Sequence, residues 1–152
     1  MKYTTLIALI LVVLFGGFVQ SNRVHADTGF NPLQDAMRIS GYKYAGTPVA
    51  VAAVSPDDLW DTYCKKACKI HPKALQHGTD ILVSTELDFD KVLDQSILVH
   101  EMVHVLQEYN KGGRAASCAD WVARESEAYA LQNKYLLSKG AQLVRAPIVG
   151  CF

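Results

Sequence analysis

What this sequence lacks narrows it first. It has no excess of either charge: 15 Lys and Arg stand against 15 Asp and Glu, for a formal net charge of zero. A module that grips nucleic acid normally carries a basic excess or stripe, so the balance counts against that class. There is no internal repeat, no low-complexity tract, and no Pro-, Gly- or Ser-rich run that could link two domains. At roughly 100–200 residues per domain, 152 residues read as one domain. Charged residues are only 20% and hydrophobic ones 50%, which a disordered chain does not show.

Part of that hydrophobic half lies outside any core. Lys2 is followed by an unbroken apolar run from Leu6 to Phe15, then Gly16, Gly17, Phe18 and Val19, then a polar stretch ending in Val24-His25-Ala26. A positive start, a short apolar run and a small-x-small ending form the pattern of a secretory signal peptide over 1–26, cut after Ala26. The apolar region is about 14 residues, short beside the roughly 20 that span a bilayer. An uncut anchor is the alternative. The expectation is an exported protein, periplasmic or secreted, with no stable membrane span after cleavage. Loss of 1–26 removes two basic and no acidic residues, leaving 27–152 slightly acidic as a single domain.

Cysteine is scarce, and all four, Cys64, Cys68, Cys118 and Cys151, follow the leader. An even count in an exported chain suggests two disulfides. Four cysteines allow three pairings. Cys64 and Cys68 on one helix would have Cα atoms about 6 Å apart, within disulfide range, which favours that pair and leaves Cys118 with Cys151. The rival reading makes Cys64, Cys68 and His71 metal ligands.

Local signals give an α+β chain, a small sheet packed on about four helices. Asn31-Pro32 opens a helix through Arg38, stopped by Ser40-Gly41. The segment 47–54 reads as a strand. Ser55-Pro56 starts a short helix over 57–66, and 80–85 is a second strand. Asp88 or Asp90 is expected to cap a helix from 90 to 109, ended by Asn110-Lys111-Gly112-Gly113. The last helix runs 119–138, and the tail from Ala141 is irregular or a short strand.

Within helix 90–109 stands His100-Glu101-Met102-Val103-His104. Two His four apart on a helix point the same way, so both imidazoles can bind one metal ion. Glu101 lies one step round, in reach of a water on that ion. This is the two-ligand-plus-base arrangement of the HExxH motif. The flanking Ile97, Leu98, Val99, Val103, Val105 and Leu106 make the helix apolar nearly all round, hence buried. Two imidazoles and a carboxylate in such a helix are costly unless paired or metal-bound.

The last helix offers two acids for a third ligand. With Trp121 at 0°, Ala128, Tyr135, Tyr129 and Leu136 define a buried face, and Glu125 falls in its middle near 40° at 100° per residue. Glu127 falls near −120° beside Lys134, on what reads as a solvated face. Glu125 is therefore the expected ligand. His71 and His77 read as exposed loop histidines, and Tyr129 and Tyr135 as core aromatics with a hydroxyl at the edge. Gln107 and Gln132 are possible polar partners near the site.

His100-Glu101-x-x-His104, followed about 20 residues later by Arg124-Glu125-Ser126-Glu127-Ala128, resembles the gluzincin metallopeptidases. It is most similar to branches whose third ligand is the Glu of a Glu-x-x-Ala pattern on a later helix. The likeness covers roughly residues 80–138 and implies a minimal zincin-like domain with HExxH on a central buried helix. It also implies Zn²⁺ held by His100, His104 and Glu125, with Glu101 as general base and a peptide or protein as substrate. In one departure, the Asp that often follows the Ala is Tyr129 here, so the usual partner of a metal-binding His has no counterpart. The strand 80–85 is the expected edge for an extended substrate. The competing expectation is a secreted binding or effector protein on the same zinc scaffold, without turnover.

Overall fold

A computed structural model of the protein describes residues 29–64 and 71–146, and the side chains of 62–64 are not among those described. The proposed signal peptide, Cys68 and Cys151 lie outside the described residues. So does the side chain of Cys64. Both expected disulfide pairings therefore involve undescribed residues, though Cys118 itself is disulfide-bonded.

The chain is α+β, and its described residues form a three-stranded mixed sheet and four helices. Helix α1 is Pro32–Ser40. Asn31 accepts from the Gln34 amide at 3.1 Å, and Gly41 ends the helix at φ 78°, a left-handed turn that suits glycine. Strand β1, Val51–Val54, is shorter than the expected 47–54. Ser55 caps α2, Pro56–Asp58, through a bond from the Asp58 amide. The chain then winds as a π-helix over Leu59–Cys64, where a helix over 57–66 was expected. Strand β2 is Ala74–His77 and β3 is Asp80–Ser84, joined by a tight turn with Gly78 at φ 66°.

The sheet order is β1-β3-β2, with β1 parallel and β2 antiparallel to β3. Two expectations are corrected here. The segment around His77, read as loop, contributes a strand. Strand β3 is consequently central, paired on both sides, and cannot serve as the edge to which a substrate adds. Its composition fits that position: Ile81, Leu82, Val83 and Ser84 are all buried, as a strand covered on both faces requires. Among the described residues the outer strands are β1 and β2.

Helix α3 is Val92–Asn110 and α4 is Cys118–Ser138. Neither Asp88 nor Asp90 caps α3. Its N-cap is Lys91, without a side-chain bond. Asp94 instead reaches back to accept from the Asp88 amide at 3.0 Å, and Asp88 pairs with Lys91. Ser117 caps α4 by accepting from the Asp120 amide. The two helices run antiparallel, as their cross-links show: Gln107 meets Arg124 near the loop, Ser96 meets Gln132, and Gln95 meets Tyr135 at the far end. Tyr135 is a fully buried aromatic with its hydroxyl bonded to Gln95 at 2.7 Å, as expected.

The core joins Ala36 and Ile39 of α1, Ile81 and Val83 of β3, Val99, Val103 and Leu106 of α3, and Ala128 of α4. Buried residues run unbroken from Leu98 to Val103 on α3. That helix is the central one, as its apolar sequence implies. Among the described residues no helix is long and apolar enough to cross a membrane.

Candidate metal centre

The apolar burial of α3 fixes where its polar residues can go. His100 and His104, one helical turn apart, both face α4. Their Nε2 atoms are 3.1 Å apart. Glu125 enters from α4 between them, with Oε1 3.1 Å from His104 Nε2 and Oε2 3.5 Å from His100 Nε2. Among the described residues this is the only cluster of three or more His, Cys, Asp or Glu near enough to hold a metal ion. His71 and His77 do not belong to it. The exposed His71 instead stacks on Trp60, with ring centroids 4.0 Å apart.

The donor set fits a zinc-sized ion. Atoms about 2.1 Å from one tetrahedral centre stand roughly 3.4 Å apart; the two Nε2 atoms are 3.1 Å apart, each has a different Glu125 oxygen at 3.1 or 3.5 Å, and one donor atom from each residue lies within 4.8 Å of the others. Two imidazoles and one carboxylate are borderline ligands suited to Zn²⁺. They leave one tetrahedral position unfilled, as a catalytic site requires. The side chains of His104 and Glu125 are each 15% exposed, so solvent reaches the cluster.

Electrostatics point the same way. Burial disfavours the His104 imidazolium. The bond to Glu125, the charges of Glu101 and Glu125, and the bond to Gln107 outweigh that and raise its pKa from 6.5 to about 9. Burial likewise pushes the Glu125 carboxyl up, but bonds to His100 and His104 and their charges carry it from 4.5 down to about 2. Without metal, a proton on His104 neutralises Glu125, in the position a cation would take.

Glu101 is buried at 9% exposure. Its carboxylate makes no hydrogen bond among the described residues, and its charge is felt by both His104 and Tyr129. It is thus a free acceptor beside the cluster.

Glu125, and not Glu127, meets the two histidines, as the helical phase predicts. The reference residue for that phase, Trp121, is itself 36% exposed, because it sits in the first turn of α4 beyond the packed surface. The solvated reading of Glu127 needs correction. It accepts from Lys111 at 2.6 Å, Tyr42 at 2.7 Å and Gln107 at 3.0 Å. Lys134, its expected neighbour, bonds to the Ile39 carbonyl.

The residue that sequence reasoning weighed too lightly is Gln107. It is fully buried and touches His104 Nδ1 at 2.9 Å. The available signal was its spacing: three residues after His104, it shares that face of the helix. His100 has no such partner. Its Nδ1 is the one side-chain nitrogen or oxygen among the described residues that is wholly shut off from solvent and lacks a hydrogen bond. Tyr129 packs against its ring edge-on, with centroids 4.5 Å apart.

Comparison with family models, with curated proteins and with solved structures returns no match for this chain.

Proposed function

We propose that this protein is an exported zinc-dependent peptidase of a minimal, gluzincin-like kind. The observation that carries the reading is the convergence of His100, His104 and Glu125 near enough to hold one ion, beside the Glu101 carboxylate, whose charge acts on His104. A closed structural metal site has no use for that adjacent base. The export half of the reading rests on the signal-like pattern of residues 1–26.

His100 and His104 through Nε2, and Glu125 through its carboxylate, would hold the ion. Bound zinc supplies Lewis acidity and brings the pKa of water to about 7. Glu101 accepts a proton from the attacking water as the water oxygen bonds to the peptide carbonyl carbon. Glu101 then delivers that proton to the departing amine nitrogen as the C–N bond breaks, which balances the hydrolysis. The low-dielectric surroundings of α3 strengthen each of these charge interactions.

The test compares the parent with Glu101→Gln in zinc content and in digestion of a broad peptide library. The amide keeps the shape but cannot take up a proton at neutral pH. Zinc content should stay at about one per chain, while hydrolysis should fall by about 10²-fold or more, the range for loss of a general base. Equal cleavage by both proteins would refute the role of Glu101. Zinc binding with no cleavage by either would move the reading to a zinc-containing binder.

A further inference from the structure

Hydrogen-bond inventory at Gln107 leaves a single arrangement of protons. Its Nε2 lies 2.9 Å from the Arg124 carbonyl oxygen and 3.0 Å from Glu127 Oε2. Both of those groups only accept. The amide nitrogen must therefore face α4, and Oε1 must face His104. An amide oxygen also only accepts, so the contact at 2.9 Å requires a hydrogen on His104 Nδ1. The remaining nitrogen, Nε2, is the one turned toward His100 and Glu125. The orientation of the amide is held from behind, because Glu127 is itself fixed by Lys111 and Tyr42.

We propose that Gln107 is a positioning residue for the metal centre: it holds His104 with Nδ1 protonated and Nε2 directed at the ligand position, and Glu127 sets its orientation. This inference rests on the metal reading above and adds to it the residue that orients the second histidine. The arrangement is one-sided, since His100 Nδ1 has no equivalent support. The site is thus organised around His104, and its rigidity is supplied by α4 through one glutamine.

Two substitutions separate positioning from mere bridging between helices. Gln107→Leu removes both the acceptor for His104 and the donors to α4. Gln107→Glu keeps an acceptor oxygen toward His104 but removes both donors to α4 and sets a carboxylate oxygen against the Arg124 carbonyl and Glu127. Zinc dissociation constants would be measured by chelator competition on the full folded chain, with circular dichroism and thermal melting alongside. Removing a partner of a metal-binding His typically costs about 10–100-fold in metal affinity, and that loss is expected for Gln107→Leu. Gln107→Glu should hold zinc within a few-fold of the parent even where its melting temperature drops. If both variants lose affinity alike, or neither does, Gln107 only bridges the helices and the proposal falls. If Gln107→Leu does not fold, the proposal stands or falls on Gln107→Glu: zinc retained despite a weakened bridge supports it, and zinc lost in step with stability overturns it. A parent chain that takes up no zinc removes the metal reading itself and this inference with it.

Discussion

On the zinc reading proposed above, zinc and protons would compete for one nitrogen, giving metal affinity and metal-free stability opposite pH slopes. In the metal-free protein His104 titrates near 9 in place of 6.5. With its side chain only 15% exposed, solvent screens the interaction little. The rise corresponds to about 3 kcal/mol. The fall of Glu125 from 4.5 to about 2 is the same pairing seen from the carboxylate and does not add to it. A raised histidine pKa contributes stability that is complete below 6.5 and lost as pH climbs through about 9. The depressed carboxyl contributes above 4.5 and loses it as pH falls through about 2. The pair therefore stabilises the metal-free fold most between those ordinary values. Zinc needs His104 deprotonated, so below about pH 9 each ion bound displaces one proton and affinity weakens about tenfold per unit of acidification. Chelator competition at several pH values between about 6.5 and 8.5 should show roughly a hundredfold change. Urea unfolding in EDTA, followed by the fluorescence of the two tryptophans, should show stability falling over the same interval. The control is His104→Ala, in which the fall should vanish. A zinc affinity flat across this range, or a metal-free stability that rises with pH only when His104 is present, would refute the reasoning.

Glu125→Gln should weaken zinc binding by more than the roughly 10–100-fold that losing an outer partner costs. Glu127→Gln should weaken it only a few-fold, since an amide oxygen still accepts from Gln107. The reverse order in a chelator titration would mean that α4 is rotated. Thiol titration under denaturing, non-reducing conditions should find no free cysteine. Cys118 is bonded, and two or more free thiols would undo the oxidising-compartment argument. Gly41→Ala should cost about 1 kcal/mol in urea unfolding, because φ is 78° with no atom near the added Cβ. An unchanged midpoint would mean that the α1 cap relaxes.

Where the sequence carried strong punctuation or a consistent period, the fold was legible. Asn31-Pro32 and Ser40-Gly41 bracket α1, and α4 begins one residue before the expected 119 and ends at the expected 138. The apolar circumference of α3 announced its burial, and the helical phase of α4 chose Glu125 over Glu127. The failures have physical causes too. Strand β2 exists because the hairpin through Gly78 lets Ala74–His77 pair with β3, and a four-residue segment with two polar positions shows no period of its own. Missing β2 made β3 look like an edge. The α3 cap was misassigned because Asp94, from inside the first turn, bonds back to the preceding loop. The role of Glu127 was hidden because its partners Tyr42 and Lys111 come from distant parts of the chain.

The two histidines differ in a way that bears on why they are there at all. His104 satisfies both ring nitrogens, with Gln107 on one side and Glu125 on the other. His100 does not. Its Nδ1 is buried and unbonded, facing surroundings that include the Tyr129 ring. An unmade bond to a buried polar atom costs about 1–3 kcal/mol. A leucine of similar volume at this buried point of α3 would avoid that cost. His100 as inert core filler is therefore the worse solution for stability alone. Its other nitrogen, Nε2, sits 3.1 Å from the matching atom of His104 and 3.5 Å from Glu125. On the zinc reading proposed above, coordination through that atom would offset the orphaned Nδ1, since metal binding can contribute on the order of 10 kcal/mol to apparent folding energy. The unsatisfied nitrogen and the converging one thus support the same proposal: the energetic deficit on one side of the ring would be offset by an ion held on the other.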